Sequence, residues 1–159
     1  MNFENLKLVI FDFDGVFTDN KVIISQNGVE SVSCNRSDGL GLSRLKKINI
    51  KSFIISTESN PVVSVRAKKL KIPVIQNVKN KDEAVTKLCK ELDISHENTM
   101  FVGNDINDIP ALKIVGFPVA VFDAYEEILP YVNFKTNKNG GEGAVREICD
   151  LIYNFHDNE

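Results

Sequence analysis

The feature that most restricts the fold of this chain is a regular alternation of strand-like and helix-like segments. Residues 6–11 form a nearly continuous apolar run, typical of a strand buried on both faces, whereas residues 81–92 place Val85 and Leu88 at helical spacing. This alternation predicts an α/β fold: a three-layer, Rossmann-like parallel sheet with helices on both faces. A length of 159 residues predicts one domain, residues 1–159.

The individual elements follow from the same patterns. Strands are predicted where short apolar runs lie between turn signals, at residues 6–11, 52–55, 74–75, 99–102, 117–121 and 132–134. Helices are predicted where apolar residues recur every three or four positions, at residues 39–48, 61–70, 81–92, 109–114 and 142–155, with one helical turn at 126–129. Because parallel sheets bind ligands beyond the carboxyl ends of their strands, the residues that follow each strand are the candidates for a site.

A β-hairpin insert is predicted near the start of the chain. Residues 22–25 and 29–34 flank Asn27-Gly28, a dipeptide typical of tight hairpin turns. The insert, at about residues 16–34, is too short to be a mobile cap domain. An isolated hairpin is marginally stable in water, and this one would expose Val22, Ile24, Val29 and Val32. We therefore expect it to be buried against other subunits, with folding over its own sheet as the alternative.

Composition excludes several classes of protein. The formal net charge is −3 and no basic stripe occurs, so nucleic-acid binding is not expected. No apolar run approaches the roughly 20 residues that cross a bilayer, and residues 1–8 lack the apolar core of a secretory signal. Cys34, Cys89 and Cys149 are far apart along the chain, which predicts reduced thiols in a cytoplasmic protein.

Two carboxylates follow the first predicted strand, in the segment Asp12-Phe13-Asp14-Gly15. Burying both of them at a strand end without a cation would be costly. Mg²⁺ prefers carboxylate and carbonyl oxygens, so the segment indicates a magnesium site. An ordinary turn rich in Asp and Gly is the alternative for this segment alone.

Residues after the next two parallel strands suit an anion. Ser56 and Thr57 follow a strand and precede a helix, where backbone N–H groups favour a negative charge. Ordinary capping of that helix by Ser59 or Asn60 is the alternative. Lys81 opens the following helix, where a cation opposes the helix dipole, so either a fixed anionic partner or simple surface charge is expected there.

A second acidic turn, Gly103-Asn104-Asp105-Ile106-Asn107-Asp108, follows the fourth parallel strand at the same edge. Each strand-end segment is a weak signal by itself, but the order and the common edge of all of them are specific. Together, the acidic turns would supply metal ligands, while Ser56 and Lys81 would supply phosphate ligands.

In these motifs and their order the chain resembles the haloacid dehalogenase (HAD) superfamily of phosphotransferases. The four motifs of that superfamily are matched, in order, by residues 12–18, Ser56, Lys81 and residues 103–108. The resemblance implies a Mg²⁺-dependent phosphatase in which Asp12 attacks phosphorus. It also implies that Asp14 acts as the general acid and base.

The resemblance further implies a set of ligands. The phosphoryl oxygens would be bound by Ser56, Thr57 and Lys81. Mg²⁺ would be held by Asp12, Asp14 and the fourth motif, in which the candidates are Asn104, Asp105 and Asp108. The family often has Asp where this chain has Asn104, and a neutral amide oxygen would hold the ion more weakly.

Residues 38–41 and 140–147 narrow the resemblance to capless phosphatases that act on 3-deoxy-octulosonate 8-phosphate or on nonulosonate (sialic-acid-type) 9-phosphates. Octulosonate enzymes tend to have Ser-Gly-Arg where this chain has Ser-Thr-Glu, and Glu at the third place resembles the nonulosonate group. We therefore expect a nonulosonate 9-phosphate as substrate and the octulosonate 8-phosphate as the alternative. Glu58 would face the polyol arm, and Arg66 or Lys68, from this chain or a neighbour, would receive the carboxylate.

The same resemblance implies a homotetramer in which the hairpins pack together and a neighbour helps to close each active site. The alternative hypothesis, from another functional class, is a non-catalytic oligomerisation domain like that of acylneuraminate cytidylyltransferases. The intact Asp12, Asp14, Ser56 and Lys81 argue against it.

Overall fold

The computed structural model describes residues 2–157, and its main element is a six-stranded parallel β-sheet. The strands, in chain order, are β1 (Leu8–Phe11), β2 (Ile23–Ile24), β3 (Glu30–Ser31), β4 (Lys51–Ile55), β5 (Val74–Ile75), β6 (Thr99–Gly103), β7 (Phe117–Ala120) and β8 (Phe134–Lys135). The order across the sheet is β5-β4-β1-β6-β7-β8, and β2 pairs with β3 in a separate antiparallel hairpin. The first strand of the chain therefore lies in the interior of the sheet.

The helices connect these strands. They are α1 (Asp38–Lys47), α2 (Val62–Leu70), α3 (Lys81–Leu92), α4 (Ile109–Leu112) and α5 (Ala144–Asp157), with 3₁₀ turns at His96–Asn98, Ile106–Asp108 and Glu126–Tyr131. Most predicted bounds of the helices and strands agree with the observed bounds to within about two residues. The differences lie at the ends of the elements, which fray and which sequence patterns locate less well than the elements themselves. No helix within residues 2–157 is long and apolar enough to cross a membrane.

The sheet is buried on both faces, as β1 shows. Val9 and Phe11 pack on one side with α1, α2 and α5, whereas Leu8 and Ile10 pack on the other side with α3 and α4. Successive side chains of a strand point to opposite faces, so a continuous apolar run is what a doubly covered strand requires. The predicted three-layer α/β fold is confirmed.

The insert between β1 and α1 is the predicted hairpin, and no cap domain occurs within residues 2–157. Gly28 has a φ of +80° in the turn, a conformation that glycine adopts without strain. Ile23 and Ile24 are 69% and 65% exposed. The expectation for Val32 was wrong: its side chain is partly buried and packs against the core of the sheet.

Asp38 is a buried carboxylate at the first position of α1. It is 1% exposed, and neither of its oxygens has a hydrogen-bond partner among residues 2–157. Burial raises the pKa of Asp38 from 3.8 to about 7, against the opposing effect of Arg66. Between these two values the folded protein keeps a proton that the unfolded chain releases, so the stability contributed by this group falls as pH rises.

We expect Asp38→Asn to raise the free energy of unfolding more at pH 8 than at pH 5. In the wild type, the stability that Asp38 contributes is lost between about pH 4 and pH 7, at up to about 1.4 kcal/mol per pH unit. An amide cannot ionise, so the variant does not undergo this loss. Urea unfolding of both proteins at the two pH values measures the difference. Asp93→Asn makes the same chemical change at an exposed site at the end of α3 and is the control. Equal effects of Asp38→Asn at both pH values would contradict the raised pKa.

Candidate active site

The carboxyl ends of β1, β4 and β6 meet at one edge of the sheet because these strands are neighbours. Asp12 follows β1, Ser56 follows β4, and Asn104 follows β6. They line a cleft of about 220 Å³, whose other lining residues are Asp14, Asn20, Thr57, Asp105, Ile106 and Asn107. A larger groove of about 470 Å³ along α3 contains none of these residues.

Lys81 lies under this cleft, at the first position of α3. It is 1% exposed, and its Nζ lies 2.8 Å from Asp12 Oδ1 and 2.6 Å from Asp108 Oδ1. A buried ammonium group is tolerated only when it is paired, and here two carboxylates pair with it. Burial acts to lower the pKa of Lys81, but Asp12 and Asp108 outweigh it and raise the pKa, so the side chain stays protonated.

The three charges of this cluster do not cancel, because two carboxylates share one ammonium group. Burial and the negative charge of Asp108 raise the pKa of Asp12 to about 7, while Lys81 opposes the shift. Asp12 Oδ1 accepts hydrogen bonds from Lys81 and from the N–H of Phe13, at 2.8 Å each. Oδ2 makes no hydrogen bond to another residue within 2–157. A bound cation would relieve the excess negative charge at this end of the cleft.

Asp14 is half-buried beside Asp12 in the same cleft. Burial raises the pKa of Asp14, and the charges of Glu58 and Glu30 raise it further, while Lys81 opposes the shift. A carboxyl group that holds its proton more readily than usual is suited to donate that proton to a leaving group.

The acidic turn after β6 is organised by Asp108. Its Oδ2 accepts the N–H groups of Asn104 and Asp105, at 2.8 and 3.2 Å, while its Oδ1 accepts from Lys81. Both oxygens are therefore used to hold Lys81 and the turn. Asp105 Oδ1 accepts the N–H of Ile106 at 2.7 Å and caps the 3₁₀ turn, at the rim of the cleft. A side chain on Gly103 would collide with Asp108, since its Cβ would lie 2.5 Å from Oδ2.

The loop after β1 is held by Gly15 and Thr18. Gly15 has a φ of +77°, and a Cβ there would lie 2.0 Å from Asn104 Nδ2, so only glycine allows this approach. The hydroxyl of Thr18, which is fully buried, accepts the N–H groups of Gly15 and Asn20, at 3.0 and 3.2 Å. The loop that carries Asp12 is therefore fixed at both of its ends.

A segment from the other end of the chain packs on this loop. A Cβ on Gly140 would lie 1.8 Å from the carbonyl oxygen of Gly15, and the N–H of Gly141 donates to the carbonyl of Val16 at 3.0 Å. Gly140 in turn donates its N–H to Asp123 Oδ1 at 2.8 Å. The sequence predicts no contact between residues 140–147 and this loop, because about 120 residues separate the two segments along the chain.

Ser56 is buried at the end of β4, and its Oγ accepts the N–H of Glu58 at 3.1 Å. Glu58 Oε1 accepts the N–H groups of Ser59 and Asn60, at 2.6 and 2.8 Å. The Glu58 side chain is thus engaged with its own loop, although its charge lies near enough to Asp14 to raise the pKa of that carboxyl.

The two cations expected to receive a substrate carboxylate do not line this cleft. Arg66, on α2, donates from Nη2 to the carbonyl of Asn35 at 2.7 Å and so ties α2 to the base of the hairpin. Lys68 is exposed on the same helix. The structure therefore brings neither residue to the cleft of its own chain.

The residues of the cleft fit a hard cation. Asn104 is 5% exposed, and its Oδ1 is a buried oxygen without a hydrogen-bond partner within residues 2–157. Buried polar atoms in proteins normally have a partner, so this oxygen is expected to bind a ligand. Asn104 lines the same cleft as Asp12 and Asp14. Within residues 2–157, no group of three or more His, Cys, Asp or Glu side chains could hold a metal ion by itself. The donor set would therefore have to combine carboxylate and amide oxygens, which suits Mg²⁺.

Comparison with protein families agrees with this geometry. The model of the haloacid dehalogenase-like hydrolases matches residues 41–148, which is more than half of the chain. This chain belongs to the haloacid dehalogenase-like hydrolases. The resemblance drawn from the four strand-end motifs is thereby confirmed at the level of the family.

Several relatives of this hydrolase resemble it over most of its length. 3-Deoxy-D-manno-octulosonate 8-phosphate phosphatase of Salmonella typhi is 38% identical over 150 residues, covering 94% of this chain and 80% of the relative. The crystal structure of the Moraxella catarrhalis enzyme of the same name, in complex with magnesium ion, phosphate ion and a KDO molecule, has a TM-score of 0.94 at 35% identity, covering 99% and 91% of the two chains. A cobalt-bound deoxy-D-mannose-octulosonate 8-phosphate phosphatase from Haemophilus influenzae has a TM-score of 0.92 at 32% identity, covering 99% and 92%.

We expect Gly140→Ala to lower the free energy of unfolding by about 1–3 kcal/mol, because the added methyl group must displace the backbone at Gly15. Gly39→Ala is the matched control. It adds the same group within α1, where the nearest atom is Leu70 Cδ2 at 3.5 Å, and it should be neutral or stabilising. Urea unfolding of the three proteins tests both statements. A Gly140→Ala protein as stable as the wild type would contradict the close packing described here.

Proposed function

We propose that this hydrolase removes the phosphate group from a keto-deoxy sugar acid phosphate, with 3-deoxy-D-manno-octulosonate 8-phosphate as the substrate. The observation that carries the proposal is the state of Asp12: Lys81 holds one oxygen, and the other is free beside Asp14. The phosphatases of that name that match nearly the whole chain support the choice of substrate. The enzyme is thus a phosphoric monoester hydrolase, a class that a non-catalytic oligomerisation domain would not belong to.

The proposed reaction has two steps. In the first, a carboxylate oxygen of Asp12 attacks phosphorus and forms an aspartyl-phosphate, while the bond between phosphorus and the sugar oxygen breaks and Asp14 donates a proton to that oxygen. In the second, a water molecule attacks the same phosphorus and Asp14 takes up its proton. Inorganic phosphate then leaves, and the Asp12 carboxylate is restored.

Two residues would bind the phosphoryl group during these steps, and Lys81 would assist them. Ser56 and Thr57 lie at the end of β4, within the cleft, and would bind phosphoryl oxygens. Lys81 orients the nucleophile through its contact with Asp12, and its positive charge offsets the negative charge that gathers in the transition state.

We assign Asp12, Asp14 and Asn104 as the residues that would hold Mg²⁺. When bound, the ion would supply positive charge that lets an anionic nucleophile approach an anionic phosphate. Asp105 stands at the rim, where it would act through water, and Asp108 would act by fixing Lys81 and the turn that carries Asn104. The free Oδ1 of Asn104 and the magnesium- and cobalt-bound relatives support a divalent ion here.

A nonulosonate 9-phosphate, the substrate expected from the sequence, is the second candidate. The observation in its favour is that Glu58 lies near enough to Asp14 to raise the pKa of that carboxyl. Against it, Glu58 Oε1 already accepts two backbone N–H groups, and Arg66 and Lys68 lie outside the cleft. The named relatives favour the eight-carbon substrate, so we rank the nine-carbon one second.

A comparison of phosphate release from the two sugar acid phosphates tests this proposal. With Mg²⁺ present, wild-type protein should show the higher kcat/KM on the octulosonate 8-phosphate, and a chelator should remove the activity. Asp12→Asn should lose about a thousandfold or more of kcat, since an amide cannot form the acyl-phosphate. Asp93→Asn serves as the exposed control and should be fully active. Hydrolysis by Asp12→Asn near the wild-type rate would refute the covalent mechanism, and a preference for the nine-carbon substrate would reverse the assignment.

We place this reaction in the cytoplasm. Cys34, Cys89 and Cys149 are free thiols, and the last two are buried. Thiols persist in this form where cellular reductants keep them reduced, and disulfides are rare there.

We further propose that the hairpin joins subunits into a homotetramer. Its strands are two residues long, and Ile23 and Ile24 of β2, which point to opposite faces, are both exposed, so the hairpin has apolar area that its own sheet does not cover. Large exposed apolar side chains on a hairpin that is marginally stable by itself are typical of a segment covered by another subunit.

Placing charges on the hairpin should dissociate this assembly. We expect the double variant Ile23→Glu, Ile24→Glu to be monomeric in light scattering under conditions where the wild type is a tetramer, because the new carboxylates would have to be buried. Leu151→Glu, a matched change at an exposed position of α5, should leave the mass of the assembly unchanged. A fully active wild-type monomer would contradict the proposed assembly.

A further inference from the structure

Asn20 lies at the mouth of the cleft and has no role in the reaction described above. It lines the cleft with Asp12, Asp14 and Ser56, and its backbone is left-handed, with a φ of 62°. Residues other than glycine rarely adopt this conformation, and asparagine tolerates it better than most. The side chain is exposed, and its amide makes no hydrogen bond to any other residue that the structure describes.

The backbone of Asn20 is held in place. Its N–H donates to the buried hydroxyl of Thr18, which also accepts the N–H of Gly15 in the catalytic loop. Behind this stretch, a Cβ on Gly141 would lie 2.5 Å from the amide nitrogen of Asp19, so the segment between β8 and α5 supports the peptide that precedes Asn20. The amide is therefore presented from a rigid support, as a binding site requires.

We propose that the Asn20 amide contacts the sugar part of the substrate and contributes to its selection, an inference that rests on the proposed function. An amide donates and accepts hydrogen bonds, and the hydroxyl groups on the carbons next to the phosphate ester need both. The neighbouring Asp12, Asp14 and Asp105 are carboxylates, which repel a phosphate or carboxylate of the substrate. The Asn20 amide is neutral and offers polar contact without that repulsion.

A simpler role for Asn20 is to allow the left-handed turn and nothing more. Asn49 is an asparagine in the same backbone conformation but away from the cleft. It has a φ of 59° in the turn between α1 and β4, at the opposite edge of the sheet. Glycine satisfies the backbone at either position and removes only the side chain. The pair Asn20→Gly and Asn49→Gly therefore separates a binding role from a conformational one.

The experiment measures kcat and KM of three proteins on two substrates, in the presence of Mg²⁺. The proteins are the wild type, Asn20→Gly and Asn49→Gly, and the substrates are 3-deoxy-D-manno-octulosonate 8-phosphate and phenyl phosphate, which has no hydroxyl groups beside its ester. In Asn20→Gly we expect kcat/KM on the sugar phosphate, relative to phenyl phosphate, to fall about fivefold, the factor that one neutral hydrogen bond commonly provides, mainly through KM. Asn49→Gly should leave this ratio at the wild-type value.

Two results would overturn the role of Asn20. One is an unchanged ratio in Asn20→Gly, and the other is an equal loss on both substrates, which would mean that the residue positions the catalytic loop and does not touch the sugar. A failure of the proposed function differs from both, since wild-type protein would then hydrolyse phenyl phosphate and leave the sugar phosphate intact. That result would overturn the role of Asn20 as well.

Discussion

The ammonium group of Lys81, buried between Asp12 and Asp108, is the interaction on which the rest of the site depends. It joins the end of β1, the start of α3 and the turn after β6, three segments that the sheet brings to one edge. Removing one partner from a buried ion pair leaves an uncompensated charge and commonly costs about 3–5 kcal/mol. Because the cluster has one carboxylate in excess, the arrangement that fixes Asp12 also creates a place for a cation.

Around this cluster, the turns of the cleft depend on three glycines, which have no side chain. Gly15, Gly103 and Gly140 each stand where a Cβ would approach a neighbouring atom within about 2.5 Å. Each glycine lets a functional group come close: the Asn104 amide, the Asp108 carboxylate and the loop carbonyl, respectively. At Gly15 and Gly103 the close approach is to a side chain, whereas at Gly140 it is to the backbone of the loop, so the absence of a Cβ at these positions helps to fix the geometry of the site.

Much of the fold followed from the sequence, because its main signals are local. Continuous apolar runs mark strands covered on both faces, and neighbouring parallel strands must end at the same edge, so Asp12, Ser56 and Asn104 could be placed together. Within the turn after β6, spacing alone did not distinguish a rim residue such as Asp105 from one buried under the cleft such as Asp108. The left-handed backbone of Asn20 and the exposure of Ile23 depend on tertiary packing, which a single sequence does not encode locally.

The contact between Gly140 and the Gly15 loop has a consequence for how the enzyme acquires activity. The loop that carries Asp12 is made early, but the glycines that support it come late in the chain. During synthesis from the N-terminus, almost all of the sheet must be made before the loop that carries Asp12 is held by these glycines. In a partly synthesised or misassembled chain, the acidic residues of this loop are therefore exposed without the glycine segment that supports them. This protein therefore becomes catalytically competent only when its fold is nearly complete.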